Sequence, residues 1–151
     1  MSYPNDIQGT FLRWCMGDAE AARFLFDMAN LARMADDLND IGDNLQGRVS
    51  QMLELSLLNI AGNPFFIRHH AALSGMVIEM LAYWRLGDRF RTSGDERRQL
   101  FGFVYRESCD RLPVAVAGLI GGVDHALAVA GEVYQAMHGS STETVEQWVK
   151  E

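Results

Sequence analysis

The sequence predicts an all-α, single-domain bundle, and three observations carry that prediction. Apolar residues recur at three- and four-residue steps along most of the 151 residues. No alternation of apolar and polar residues runs long enough to make a strand. Glycine, proline and short polar residues fall between the apolar stretches, where helices start and stop. With 48% hydrophobic residues the chain can fill one real core. No repeat or low-complexity tract divides it, so residues 1–151 read as one domain of about six or seven helices.

The first element is a short amphipathic helix, Ile7 to Trp14, carrying Ile7, Phe11, Leu12 and Trp14 and closed by Gly17. Asp18 caps the second, with Glu20 in its first turn, where negative charge suits the helix dipole. Phe24, Met28, Leu31, Ala35 and Leu38 make its apolar stripe, and Gly42 ends it. From Leu45 to Ala61, Val49, Met52, Leu53, Leu57 and Ile60 share a face that Leu55 and Leu58 widen. Such a face belongs to an interior helix or to one at a subunit contact. Asn63-Pro64 starts the long central helix, an N-cap followed by proline at the first helical position. It runs through Phe65, Phe66, His69, Leu73, Met76, Val77, Met80, Leu81 and Trp84 towards Phe90.

Arg91 to Gly94 is the clearest loop, and Asp95 caps the next helix. Leu100, Phe103, Val104 and Cys109 line its inner side before Pro113 interrupts it. Pro113 to Ile120 is a short helical piece ended by Gly121-Gly122. Val123 to Met137 follows, with Leu127, Ala130, Val133, Tyr134 and Met137 inward and Gly139 as its stop. Ser140 and Glu143 fit a capping box for a terminal helix with Val145, Trp148 and Val149. Trp14 and Trp148 are placed to pin the two terminal helices to the bundle.

A formal charge of −7 argues against a nucleic-acid-binding surface. The first six residues lack the basic and apolar regions of a secretory signal. The run Val114 to Val123 is too short and too glycine-broken to span a bilayer, so no membrane role is expected. Cys15 and Cys109 lack a neighbouring activating base and read as packing thiols in a reducing cytoplasm. CxxC, HExxH, GxSxG and phosphate-loop patterns are absent.

The most suggestive stretch is Arg33 to Asp43, which places Asp36, Asp37, Asp40 and Asp43 within eight residues. At about 100° per residue, Asp36, Asp40 and Asp43 share one arc of the helix and Asp37 lies at its edge. Like charges at i,i+3 and i,i+4 each cost about 0.2–0.5 kcal/mol, and the negative end of the helix dipole adds to that. Arg33 relieves only part of it. A divalent cation on hard oxygen ligands is the simplest remedy, which points to magnesium or manganese on Asp36, Asp37 and Asp40. The other reading is a solvated face, since the arc lies away from the apolar stripe.

Other groups carry weaker signals. Arg68-His69-His70 opens the Pro64 helix, where free N–H groups favour an anion, and His69 is either a packed ring or a ligand. Glu107 and Asp110 stand an i,i+3 step apart and either complete a metal site with the Asp36 group across the bundle or pair with Arg106 and Arg111. Glu79, among Met76, Val77, Met80 and Trp84, calls for an arginine partner or a raised pKa. Arg85 and Arg89, one turn apart, can hold phosphate oxygens or pair with Asp88 and Glu96.

Asp36-Asp37-Leu38-Asn39-Asp40 resembles the first aspartate-rich DDxxD motif of class I isoprenoid synthases. That resemblance implies that Asp36, Asp37 and Asp40 hold magnesium and that Arg68 or Arg85 binds diphosphate oxygens. More of the chain is similar to small helical proteins of tailed bacteriophages and prophages. The likeness rests on the Asp-Asp-x-x-Asp helix end, on Asn63-Pro64-Phe65-Phe66-x-Arg68-His69 and on Leu119-Ile120-Gly121-Gly122. It implies a source and a helical fold but no reaction. Two functional expectations follow. One is a metal-binding protein acting on a phosphorylated small molecule, with Glu107 or His69 as general base. The other is a non-enzymatic assembly protein, a homodimer through the Leu45–Ala61 helix.

Overall fold

Helices begin where a short polar side chain can accept the first free N–H groups. Asp6 accepts from Gly9 N at 3.0 Å, and Asp18 Oδ1 accepts from Glu20 N and Ala21 N at 3.0 Å each. Asn63 Oδ1 accepts from Phe66 N at 3.1 Å, and Asp95 from Arg98 N at 2.8 Å. The computed structural model describes residues 6–39 and 45–150, and the described residues are all-α with no strand. The order is α1 (Ile7–Trp14), α2 (Ala19–Asn39), α3 (Leu45–Glu54) running into a π-helical turn (Leu55–Ile60), and α4 (Pro64–Arg68). Then come α5 (His70–Arg91), α6 (Glu96–Tyr105), a 3-10 turn (Ser108–Asp110), α7 (Arg111–His138) and α8 (Val145–Val149).

The expected central helix is two helices. His69, at φ −111° and ψ 18°, separates α4 from α5. The bend follows from aromatic packing. Phe65 is fully buried, Phe66 stacks on Phe24 at 5.5 Å, and the His69 ring lies 4.6 Å from Phe65. The C-terminal capping box also differs from expectation. It is Thr144 with Gln147: the Thr144 hydroxyl accepts from Gln147 N at 3.3 Å, and Gln147 Oε1 accepts from Thr144 N at 2.8 Å. Glu143 is drawn off to Arg106 instead.

Gly122 shapes the C-terminal half. Its backbone, at φ 78° and ψ −172°, breaks the run Arg111–His138. A straight helix of that length would be about 42 Å long. Yet His138, at the end of the run, hydrogen-bonds Asp110, which precedes its start, and a Cβ on Gly118 would lie 3.5 Å from that of Ala126. Residues 111–121 and 123–138 are therefore the two antiparallel limbs of a helical hairpin, broken where Gly121-Gly122 predicts. Within the longer run Ser108–His138 an 18-residue window reaches a mean hydropathy of 1.7, enough by length and composition to cross a membrane. The fold turns it back on itself halfway.

The core lies between the hairpin and α1, α2 and α5, around Phe11, Trp14, Phe24, Leu73, Val116 and Val129. Trp14 donates its indole N–H to Glu132 at 2.8 Å and so ties α1 to the second limb. Buried polar groups are satisfied. Asp27 accepts from Arg23 Nε at 2.9 and 3.0 Å, Asn63 Nδ2 donates to Glu20 O at 3.0 Å, and the Ser108 hydroxyl donates to Met80 O at 3.0 Å. Helices α5 and α6 cross at Gly87 and Gly102, and Trp148 of α8 is buried over Gly102.

Several residues expected inside lie on the surface, Leu81, Leu100, Val104, Leu127 and Tyr134, and so do Val49, Leu53 and Leu57 of the face read as interior or as a subunit contact. Their helices turn a neighbouring face inward, through Ile60, Leu73, Met80, Val129 and Val133. Periodicity identifies which residues share a face, and these helices are apolar on more than one.

Candidate metal centre

The open end of the hairpin brings chemistry together. Chain leaving α6 at Tyr105 passes through Arg106 and Glu107 into the 3-10 turn that ends at Asp110. The second limb of α7 returns His138 to the same place. One carboxylate oxygen each from Glu107 and Asp110 and a ring nitrogen of His138 lie within 4.8 Å of one another. All three residues are partly buried. Among the described residues, this is where three such ligand atoms converge.

Each side chain is held. His138 Nε2 hydrogen-bonds Asp110 Oδ2. Arg106 Nε donates to Glu107 Oε1 at 2.8 Å, and its Nη1 donates to Glu143 Oε1 at 3.2 Å. The same guanidinium lies 4.7 Å from the Phe103 ring centre and 5.6 Å from that of Trp148. Arg106 thus joins Glu107 to the segment that leads into α8. Burial works against its charge, but Glu143 and Glu107 outweigh this and hold it above its usual pKa.

Asp110 is the least comfortable group. It lines a cavity of about 30 Å³ whose other walls include Phe11, Leu25, Met28 and Met137. Burial against these apolar groups pushes its carboxyl up. The bond and charge of His138 work the other way, while the charge of Glu107 adds to the rise. A carboxylate in that setting gains from any further positive charge.

Of the residues singled out in the sequence, some are described and some are not. Glu107 belongs to the convergent group, together with Asp110. His69 sits at the α4–α5 bend against Phe65, and Arg68 pairs with Glu20 at 2.7 Å. Arg85 is exposed on α5, and Asp37 is exposed near the end of α2. The side chain of Asp36, and Asp40 and Asp43 entirely, lie outside the described residues. Glu79 has its arginine partner, Arg111, at 2.8 Å. Sequence reasoning passed over His138. Its one visible signal was position, a histidine in the last helical turn before Gly139, where a cation suits the dipole. Cys15 is a packing thiol: burial, with a smaller push from Asp18, raises its pKa to about 12.

Comparison with protein-family models, curated proteins and solved structures finds no match to this chain.

Proposed function

We propose that this protein binds a divalent cation at Glu107, Asp110 and His138, and that the centre hydrolyses a phosphate ester. The observation that carries the proposal is the convergence of two carboxylates and an imidazole within 4.8 Å. Donor atoms around a tetrahedral ion stand about 3.4 Å apart, so a cation would draw the three donors together around itself and replace the hydrogen bond between His138 and Asp110. A mixed oxygen and nitrogen set suits manganese or zinc better than magnesium. The raised Asp110 carboxyl supports the reading, because a cation would offset the burial that raises it.

Three protein ligands leave positions for a water and a substrate oxygen, which is what metal-assisted hydrolysis needs. Arg111, next in sequence to Asp110 and exposed, supplies a second positive charge for a phosphate group. Its partner Glu79 is also exposed, so that pair opens at little cost.

Calorimetric titration with manganese, zinc and magnesium tests the binding step. The wild type is expected to bind manganese or zinc, and His138→Ala or Asp110→Ala to lose at least about tenfold in affinity. An Asp36→Ala/Asp40→Ala variant is expected to bind as wild type. No binding to wild type, or undiminished binding by His138→Ala, ends the proposal. Metal-stimulated hydrolysis of p-nitrophenyl phosphate tests the reaction separately.

A further inference from the structure

A metal centre that acts on a phosphate ester gains from a second cation whose donors are aimed before the substrate arrives. Arg111 has the charge, but both it and its partner Glu79 are exposed. Arg106, one residue before Glu107, is built differently. Its Nε donates to Glu107 Oε1 at 2.8 Å, and its guanidinium lies 4.7 Å from the Phe103 ring centre and 5.6 Å from that of Trp148. These contacts hold the group in place and leave the edge that carries Nη1 and Nη2. Glu143 fills that edge: its Oε1 accepts from Nη1 at 3.2 Å, and its Oε2 accepts from Nη2. A carboxylate bound through both oxygens covers the same donors that take two phosphate oxygens.

We propose that the Nη1/Nη2 edge of Arg106 binds the phosphate group at this centre, and that Glu143 occupies it until a phosphate monoester displaces it. The proposal rests on the metal-centre reading above and adds its substrate class. Two observations support it. The first is that Glu143 can swing away without dismantling the fold. It lies in the connection 139–144, and its side chain is 26% exposed. Helix α8 beyond it has anchors of its own, the Thr144–Gln147 capping box and Trp148, buried over Gly102. The bond from Nε to Glu107 and the two aromatic rings keep Arg106 in position after Glu143 leaves.

The second observation is charge. A divalent cation cancels the carboxylates of Glu107 and Asp110, and Arg106 cancels Glu143. A diester monoanion that replaces Glu143 only restores the same balance. A monoester dianion brings one further negative charge between Arg106 and the cation, where both attract it. The resident carboxylate therefore acts as a filter for the doubly charged ester. It also weakens binding, because the free edge is present for only part of the time.

NMR titration of the Arg106 Nε–Hε resonance in the zinc-loaded full chain tests this, with methyl phosphate and dimethyl phosphate as probes at constant ionic strength. In wild type, methyl phosphate is expected to shift the resonance saturably and dimethyl phosphate to leave it unmoved, a comparison that needs no variant. Glu143→Gln keeps the shape and removes the charge. It is expected to bind methyl phosphate at least about threefold more tightly and to let dimethyl phosphate shift the resonance as well. A purely structural ion pair would give neither change. An unmoved wild-type resonance, equal shifts from the two probes, or a Glu143→Gln affinity no higher than that of wild type overturns the proposal. Zinc binding is read first and separately by calorimetry. A chain that binds no zinc loses the metal reading and this proposal with it, whereas a chain that binds zinc and leaves Arg106 unmoved loses this proposal alone.

Discussion

Replacing Gly122 by alanine should separate the two limbs of α7 energetically. At φ 78° and ψ −172° this residue occupies a backbone region used almost only by glycine. No atom lies within 4 Å of an added Cβ, so crowding plays no part and the cost is conformational. Holding an alanine there costs about 1–3 kcal/mol. Gly131 is the control: it lies in the second limb, also with nothing within 4 Å, and its backbone is helical. Alanine there gains about 0.5–1 kcal/mol from helix propensity. The two variants should therefore differ by about 1.5–4 kcal/mol, or roughly 3–16 °C in melting temperature for a chain of this size. Thermal unfolding followed by circular dichroism measures the gap. Should Gly122→Ala escape its strain by straightening, Asp110 and His138 would move about 40 Å apart and the proposed metal affinity would vanish with the hairpin. Melting temperatures within about 2 °C of each other, with metal affinity retained in both, would refute the fold-back argument.

Three further outcomes are expected. Gly102→Ala puts a Cβ 2.8 Å from Phe90 Cβ, and 3.0 Å from both Gly87 O and Trp148 Cη2. Overpacking of about 1–3 kcal/mol should outweigh the propensity gain, while Gly75→Ala, in open space, should stabilise α5; urea unfolding compares them. Asp110→Asn tests the raised carboxyl by its sign. A group whose pKa is raised on folding contributes stability below its unfolded value of 3.8 and loses it as pH rises through the folded value. The stability of the Asp110→Asn variant relative to wild type should therefore rise between acid and neutral pH without metal. A flat difference across that window would contradict the assignment. Finally, with Cys109→Ser in place, Cys15 should resist a thiol reagent in the native state and react fully once the chain is unfolded, because burial holds its thiol protonated.

Much of the fold was legible because its signals are local. Asn63-Pro64, Asp95 and Asp18 read as helix starts since each cap needs only a side chain two or three residues from an N–H. Gly121-Gly122 read as a break because glycine tolerates what other residues do not. The capping box was misplaced by four residues, because Ser140-x-x-Glu143 and Thr144-x-x-Gln147 both fit the pattern. Only the fold shows that Arg106 engages Glu143. The candidate site was half legible. Glu107 and Asp110 stood out as a pair, but His138 lies 28 residues beyond Asp110, and the angle at Gly122 decides whether they meet. Likewise the apolar face of α3 was visible, but which side met the core depended on where α2 lay.

The ties between Trp14 and the second limb of α7 bear on how the molecule is made. The indole N–H of Trp14 finds its acceptor 118 residues later, and its carbonyl meets His125 111 residues later. On a ribosome, Trp14 would emerge with α2 beside it but long before the second limb of α7 had been synthesised. The hairpin, whose limbs are neighbours in the chain, closes a short loop and can form quickly. Docking of α1 on the second limb should therefore follow closure of the hairpin, and until then the indole N–H of Trp14 stays open to water.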